Sequence, residues 1–160
     1  APYQKHRVKF LELYFNHPMC NVGKANSNHP ELNQFFKDKM SIQHQMQYAF
    51  ILTIEGNDVA TNLKWVMASQ SVAVMPPPTY ETWFMEGKLI PDVHYLAIRP
   101  DFSDLEERMK ECLAHPEKMR SIVKAANAWV KQFQNPKDEM ALSIAVANKY
   151  CLKTGQKGWS

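Results

Sequence analysis

The chain has 160 residues, 45% hydrophobic and 22% charged, which suits one domain able to bury a core without disulfides or metals. Its net charge of +3 comes without a Lys/Arg run, which excludes a nucleic-acid-binding tail. No apolar stretch reaches membrane length, and the reading expects no signal peptide. Cys20, Cys112 and Cys151 are an odd, scattered set, fitting a reducing compartment in which they act as small buried hydrophobes. His6, His17, His29, His44, His94 and His115 show no ligand spacing, so no metal is expected. The chain opens on Ala1-Pro2-Tyr3 without Met, as a processed protein or a portion of a longer one would.

In chain order, Lys5 to Phe15 reads as an amphipathic helix with Val8, Leu11 and Phe15 on one face, stopped at Asn16-His17-Pro18. Met19 to Gly23 is a short strand candidate. Glu31 to Met40 is weakly helical, with Leu32, Phe35 and Phe36 able to pack, and Ser41 begins another short helix. Ala49 to Ile54 is an apolar, β-branched strand, broken at Glu55-Gly56-Asn57-Asp58 and followed by a helix from about Val59 to Ser69. Ser71 to Met75 is continuously apolar, the mark of a strand covered on both faces, and Pro76-Pro77-Pro78 stops it. Thr79 is placed to cap a helix through Glu86, with Gly87 ending it.

His94 to Ile98 reads as the next strand. Ser103 and Glu106 fit a capping box for a helix with Leu105, Met109, Cys112 and Leu113 on its apolar face. Pro116 suits a first helical position, and apolar spacing continues through Phe133. A last helix carries Met140, Ile144, Ala147 and Cys151, before a polar tail from Lys153. Strands alternating with helices predict an α/β domain over residues 1–152, a parallel sheet with helices on both faces and extra helices at the end, with residues 153–160 as tail.

Three places carry chemistry. The turn after Ile51-Leu52 lies where parallel sheets gather ligands, at a strand's carboxyl end. A helix start there offers unpaired amides to phosphate; Gly56 permits a backbone conformation closed to most residues, and Asp58 suits an N-cap. The same pattern also describes a plain connection, and it is neither a dinucleotide fingerprint nor a Walker loop. Lys64 is either a phosphate partner or a surface lysine. The second place, Pro76 to Gly87, brings Tyr80, Trp83 and Phe84 with Glu81 and Glu86: rings for a base or sugar and a carboxylate for sugar hydroxyls, or simply core and solvated charge. The third is Lys5-His6-Arg7, where Arg7 could grip a phosphate in bidentate fashion. Nucleophilic catalysis has no motif to support it.

Residues Phe50 to Trp65, with Tyr80 to Pro91, His94-Tyr95 and Asp101 to Leu105, resemble the bacterial lipopolysaccharide-type glycosyltransferases of family 90, relatives of protein O-glucosyltransferases and capsule-associated xylosyltransferases. The resemblance implies the C-terminal, Rossmann-like, donor-binding half of a GT-B enzyme. It assigns the donor diphosphate to the amides of Asn57, Asp58, Val59, Ala60 and Thr61, with Gly56 among the donor-binding residues. Arg7 matches a family arginine of the first helix, and Glu81 an acidic position beside the donor. Eukaryotic members end the motif with an arginine where this chain has Asn62, with Lys64 nearby as substitute.

The family's catalytic base is an aspartate of the N-terminal half, and no residue here matches it. The expectation is therefore an inverting transferase portion, inactive alone. It would move a hexose or pentose from a UDP-sugar to a glycan acceptor of lipopolysaccharide type, and would need neither metal nor cofactor. Its partners would be the donor, the acceptor and the missing N-terminal domain, not nucleic acid. Its place would be cytoplasmic, at the inner face of the bacterial inner membrane if peripherally attached. The alternative is a non-catalytic nucleotide-sugar-binding module that works with a partner chain.

Overall fold

A computed structural model describes residues 4–25 and 30–156. At its centre is a parallel sheet of three strands, β1 (Phe50–Leu52), β2 (Val72–Met75) and β3 (Leu96–Ala97), in the order β1-β2-β3. Phe50 pairs with Val72 and Leu52 with Val74, while Val74 pairs with Leu96. Alternation along β2 divides the core. Val72 and Val74 face one cluster with Phe10, Tyr14, Phe102, Leu105 and Cys112; Ala73 and Met75 face another with Leu63, Val66, Met67, Phe84 and Tyr95. All four β2 side chains are buried, as the continuous apolar run predicts for a strand covered on both faces.

Helices α1 (Lys5–Tyr14) and α4 (Leu105–Ala114) serve the first cluster, and α3 (Leu63–Met67) the second; α5 (Pro116–Lys131) gives Ile122 to one and Ala126 to the other. Pro116 does open α5. Ser41 caps the short α2 (Ile42–Gln45), its hydroxyl accepting from the His44 amide.

Several expectations give way. Residues 19–23 form no strand, and the nearest pairing is an isolated bridge between Lys24 and Phe36. Only Pro30–Phe35 winds, as a 3₁₀ turn, in place of a helix to Met40. In α1 the buried face is Phe10 and Tyr14, because Phe10 meets the edge of Phe102 and the Tyr14 hydroxyl donates to the Phe102 carbonyl. Helix α3 starts at Leu63, not Val59. No helix forms over 79–86, where Glu55 holds the amides of Thr79 and Tyr80 and Glu86 that of Thr82; only Glu86–Lys88 winds, after Met85 in the left-handed region (φ 56°).

The capping box also fails. Ser103 turns to Asp101, and Glu106 pairs with Lys110 and His17. In α6 (Pro136–Thr154) only Cys151 is buried, while Met140 and Ile144 are exposed. Gly155 (φ 70°) ends it, and the last four residues of the expected tail, 157–160, lie outside the described ones.

Candidate functional site

The carboxyl ends of β1 and β2 open onto one edge, and the start of α1 is laid across it. Gln4 Nε2 donates to Asn57 Oδ1 at 3.1 Å, and His6 Nε2 lies 2.8 Å from the Glu55 carbonyl. Arg7 donates from Nε to the same carbonyl at 3.0 Å and from Nη2 to Ile54 O at 2.7 Å. Its pKa is lowered by desolvation against the turn, although the side chain as a whole is exposed. An arginine so shifted still carries its charge. Nη1 meets no protein acceptor among the described residues. The structure thus brings Arg7 to the turn over a sequence separation of about fifty residues.

Gly56 is needed for room. Its φ is not positive, contrary to the expectation, but a Cβ there would lie 3.3 Å from both Arg7 Nη2 and Gln4 Nε2. The Gly56 amide donates to Asp58 O at 2.9 Å. From Asn57 to Thr61, no backbone amide donates to a protein acceptor among the described residues. Asp58 is not the helix cap, since α3 begins five residues later, behind Asn62. Five helical residues also supply little dipole, so what the turn presents is the run of unpartnered amides itself, with Arg7 beside it. Asn57, Asp58 and Thr61 are exposed, Val59 is half-buried and Ala60 is buried.

Asn62 donates from Nδ2 to the Leu52 carbonyl at 2.9 Å, which ties the turn back to the end of β1. Lys64 is engaged elsewhere: its Nζ lies 2.9 Å from Glu86 Oε1, over the rings of Trp83 and Phe84. Glu86 is 1% exposed and also accepts from the Thr82 amide and hydroxyl. Burial pushes its carboxyl up, but the bonds from Lys64 and Thr82 outweigh that and hold it below the ordinary glutamate value. Glu81 is exposed and lies against Gly87.

The residue that sequence reasoning missed is Glu55. Its carboxylate accepts from the Thr79 amide at 2.9 Å and the Tyr80 amide at 3.0 Å, and from the Thr79 hydroxyl. Pro76, Pro77 and Pro78 have no N–H, so Thr79 and Tyr80 carry the first amides after β2. That arithmetic was the available signal: a strand-end carboxylate beside a loop whose first donors come late. Glu55 thereby joins the first two candidate places around a cavity of about 290 Å³, floored by Thr53 and Met75 and rimmed by His6, Gly56, Pro77 and Tyr80. Among the described residues no three His, Cys, Asp or Glu side chains converge as a metal site.

The carboxyl edge of the parallel sheet thus carries a run of amides with no protein acceptor among the described residues and an arginine beside them, donors of the kind an anion can accept from. The chain belongs to glycosyl transferase family 90, whose model matches residues 5–151. It is 45% identical over 150 residues to "O-glucosyltransferase LpsA" of Dichelobacter nodosus, a match covering 94% of this chain and 47% of that protein. It is also 33% identical over 94 residues to "Uncharacterized protein 035R" of Invertebrate iridescent virus 3, covering 58% of this chain and 8% of the viral one. The chain therefore spans about half the length of the first relative, and less of the second. No described helix is long and apolar enough to cross a membrane.

Proposed function

We propose that this chain is the donor-binding portion of a glycosyltransferase and holds the diphosphate of a UDP-sugar at the turn after β1. The observation that carries this reading is the run of amides from Asn57 to Thr61, none spent on a protein acceptor among the described residues, beside Arg7, whose Nη1 donors meet none there either. Gly56 gives the arginine its approach, and Asn62 fixes the turn to β1. Lys64 supports the site from behind by neutralising Glu86. Glu81, exposed on the neighbouring loop, is available to sugar hydroxyls.

In the transfer, an acceptor hydroxyl loses its proton to a base and its oxygen bonds to the anomeric carbon. The bond from that carbon to the phosphate oxygen breaks with inversion, and UDP leaves. This chain's part is to stabilise the charge gathering on the departing diphosphate, which preorganised amides and a guanidinium do without a metal. The base and the acceptor site would belong to a further, N-terminal domain of a GT-B arrangement. The acceptor would be a glycan of lipopolysaccharide type at the inner face of the inner membrane, in keeping with the name of the Dichelobacter relative.

Calorimetry with UDP, UDP-glucose and uridine tests the reading. UDP should bind measurably, and Arg7→Ala should weaken it about tenfold or more while leaving uridine unchanged, as loss of a charge-assisted contact of about 1.5–3 kcal/mol requires. Absence of UDP binding at millimolar concentration overturns it. UDP-sugar binding with no turnover even beside the rest of the enzyme would favour the module reading.

A further inference from the structure

Strand β1 is an edge of the sheet, yet its free side is not open surface. In a parallel ladder, successive residues turn their backbone polar groups to alternate sides. The Thr53 amide donates to Val74 O, and the Ala49 carbonyl accepts from Val72 N. Ala49, Ile51 and Thr53 therefore address β2, while Phe50 and Leu52 turn the other way. On that side the Leu52 carbonyl is met by Asn62. The Phe50 amide and carbonyl and the Leu52 amide have no partner among the described residues.

These groups open into a cavity of about 790 Å³. Residues 50–52 line it consecutively, and so do residues 19–24 across from them. Consecutive lining marks a wall seen edge-on, since the face of a strand contributes every second residue. Asn21, Val22 and Gly23 make no backbone hydrogen bond among the described residues. Met19, Cys20 and Val22 pack against the same core cluster as Phe50 and Leu52, so both walls belong to one layer. Lys24 Nζ, which lines this space too, is buried with no partner.

We propose that this slot holds a β-strand supplied by polypeptide outside residues 1–160, parallel to β1 and paired with it through Phe50 and Leu52. A five-residue strand rises about 3.3 Å per residue, is about 4.8 Å across and spans about 10 Å between packed layers, which fills on the order of 800 Å³. Parallel sheets cover their strands on both faces and run their central strands between two neighbours, and doubly wound sheets place such a strand where the order reverses. The inserted backbone gives the Phe50 and Leu52 groups their partners and offers a carbonyl to Lys24. The chain covers 47% of the Dichelobacter relative, so proteins of this kind carry further polypeptide from which the strand can come. The inference does not depend on sugar transfer.

Amide hydrogen exchange tests it on the 160-residue chain. The probe is a capped heptapeptide of alternating valine and threonine, supplied free at millimolar concentration and, separately, fused ahead of Ala1 by a glycine-serine linker. Exchange at Phe50 and Leu52 should slow at least tenfold in the fused form, while Ile51 and Thr53, already bonded to β2, stay unchanged. A fused peptide N-methylated at alternate residues, made by ligation, should give no such protection. No slowing with either the free or the fused probe overturns the proposal. So does equal slowing with the methylated probe, which would mean apolar filling without pairing. Protection that rises with protein concentration in the absence of peptide, together with a dimer in sedimentation, would assign the slot to a second copy and overturn the choice of occupant.

Discussion

The loops leaving β1 and β2 stand side by side and are held by opposite means. After β1, side chains of α1 grip carbonyls: Arg7 takes Ile54 and Glu55, and His6 takes Glu55. After β2, carboxylates grip amides: Glu55 takes Thr79 and Tyr80, and Glu86 takes Thr82. Acceptors are consumed in the first loop and donors in the second. The first keeps an unbroken run of unpartnered N–H groups, Asn57 to Thr61, while in the second the unpartnered amides among the described residues, Glu81 and Trp83, are separated by bonded ones, although both loops sit where a parallel sheet places ligands. Position at the sheet edge is therefore not sufficient; what decides is which half of each peptide group the protein has already spent.

The sharpest way to break the second loop is Lys64→Met, which strands a buried carboxylate. Removing one partner of a buried pair costs about 3–5 kcal/mol, and a urea midpoint will read it. The same variant should reverse a pH trend. In the native chain the Glu86 carboxyl lies below its unfolded value, so its contribution is full above about pH 4.5 and fades as pH falls through the depressed value. Without Lys64, burial is opposed only by Thr82, the carboxyl rises, and the variant should lose stability as pH climbs through that raised value. Unfolding at several pH values between about 4 and about 7 decides it.

Glu55→Ala is the next largest. It removes a charged acceptor from two amides that solvent can partly serve, for about 1–2 kcal/mol, and proteolysis between Pro78 and Thr82 should quicken. Gly56→Ala forces Arg7 and Gln4 back by a few tenths of an ångström, both flexible ends. Stability should fall by less than about 1 kcal/mol, with UDP affinity falling more than stability. Glu81→Gln should leave stability within about 0.5 kcal/mol; a larger loss would mean that this exposed residue is part of the loop's own framework.

The sheet was legible because β2 is apolar at every position, and a strand covered on both faces has few other readings. The turn after β1 was legible as a break following a strand, and the resemblance singled out Arg7, which the structure sets against that turn across a separation no periodicity measures. What escaped was everything decided by tertiary capture of backbone groups. Thr79 to Glu86 carries a cap, a glycine stop and good spacing, yet Glu55 and Glu86 hold Thr79, Tyr80 and Thr82 on a non-helical path. Ser103 and Glu106 match a capping box, but Asp101 and Lys110 are nearer partners. Val59 to Asn62 has helical residues but stays a loop. In α6 the apolar spacing is real, and nothing among the described residues covers most of it.

Helix α6 closes on the rest of the chain through one buried side chain, and that side chain is a thiol. Cys112, fully buried on the core face of α4, and Cys151 therefore form a pair of internal clocks. A thiol reagent reaches Cys151 whenever the last helix lifts, but reaches Cys112 only when the core opens. The ratio of their labelling rates reads, in a single tube, how loosely the last nineteen helical residues ride on the domain that precedes them.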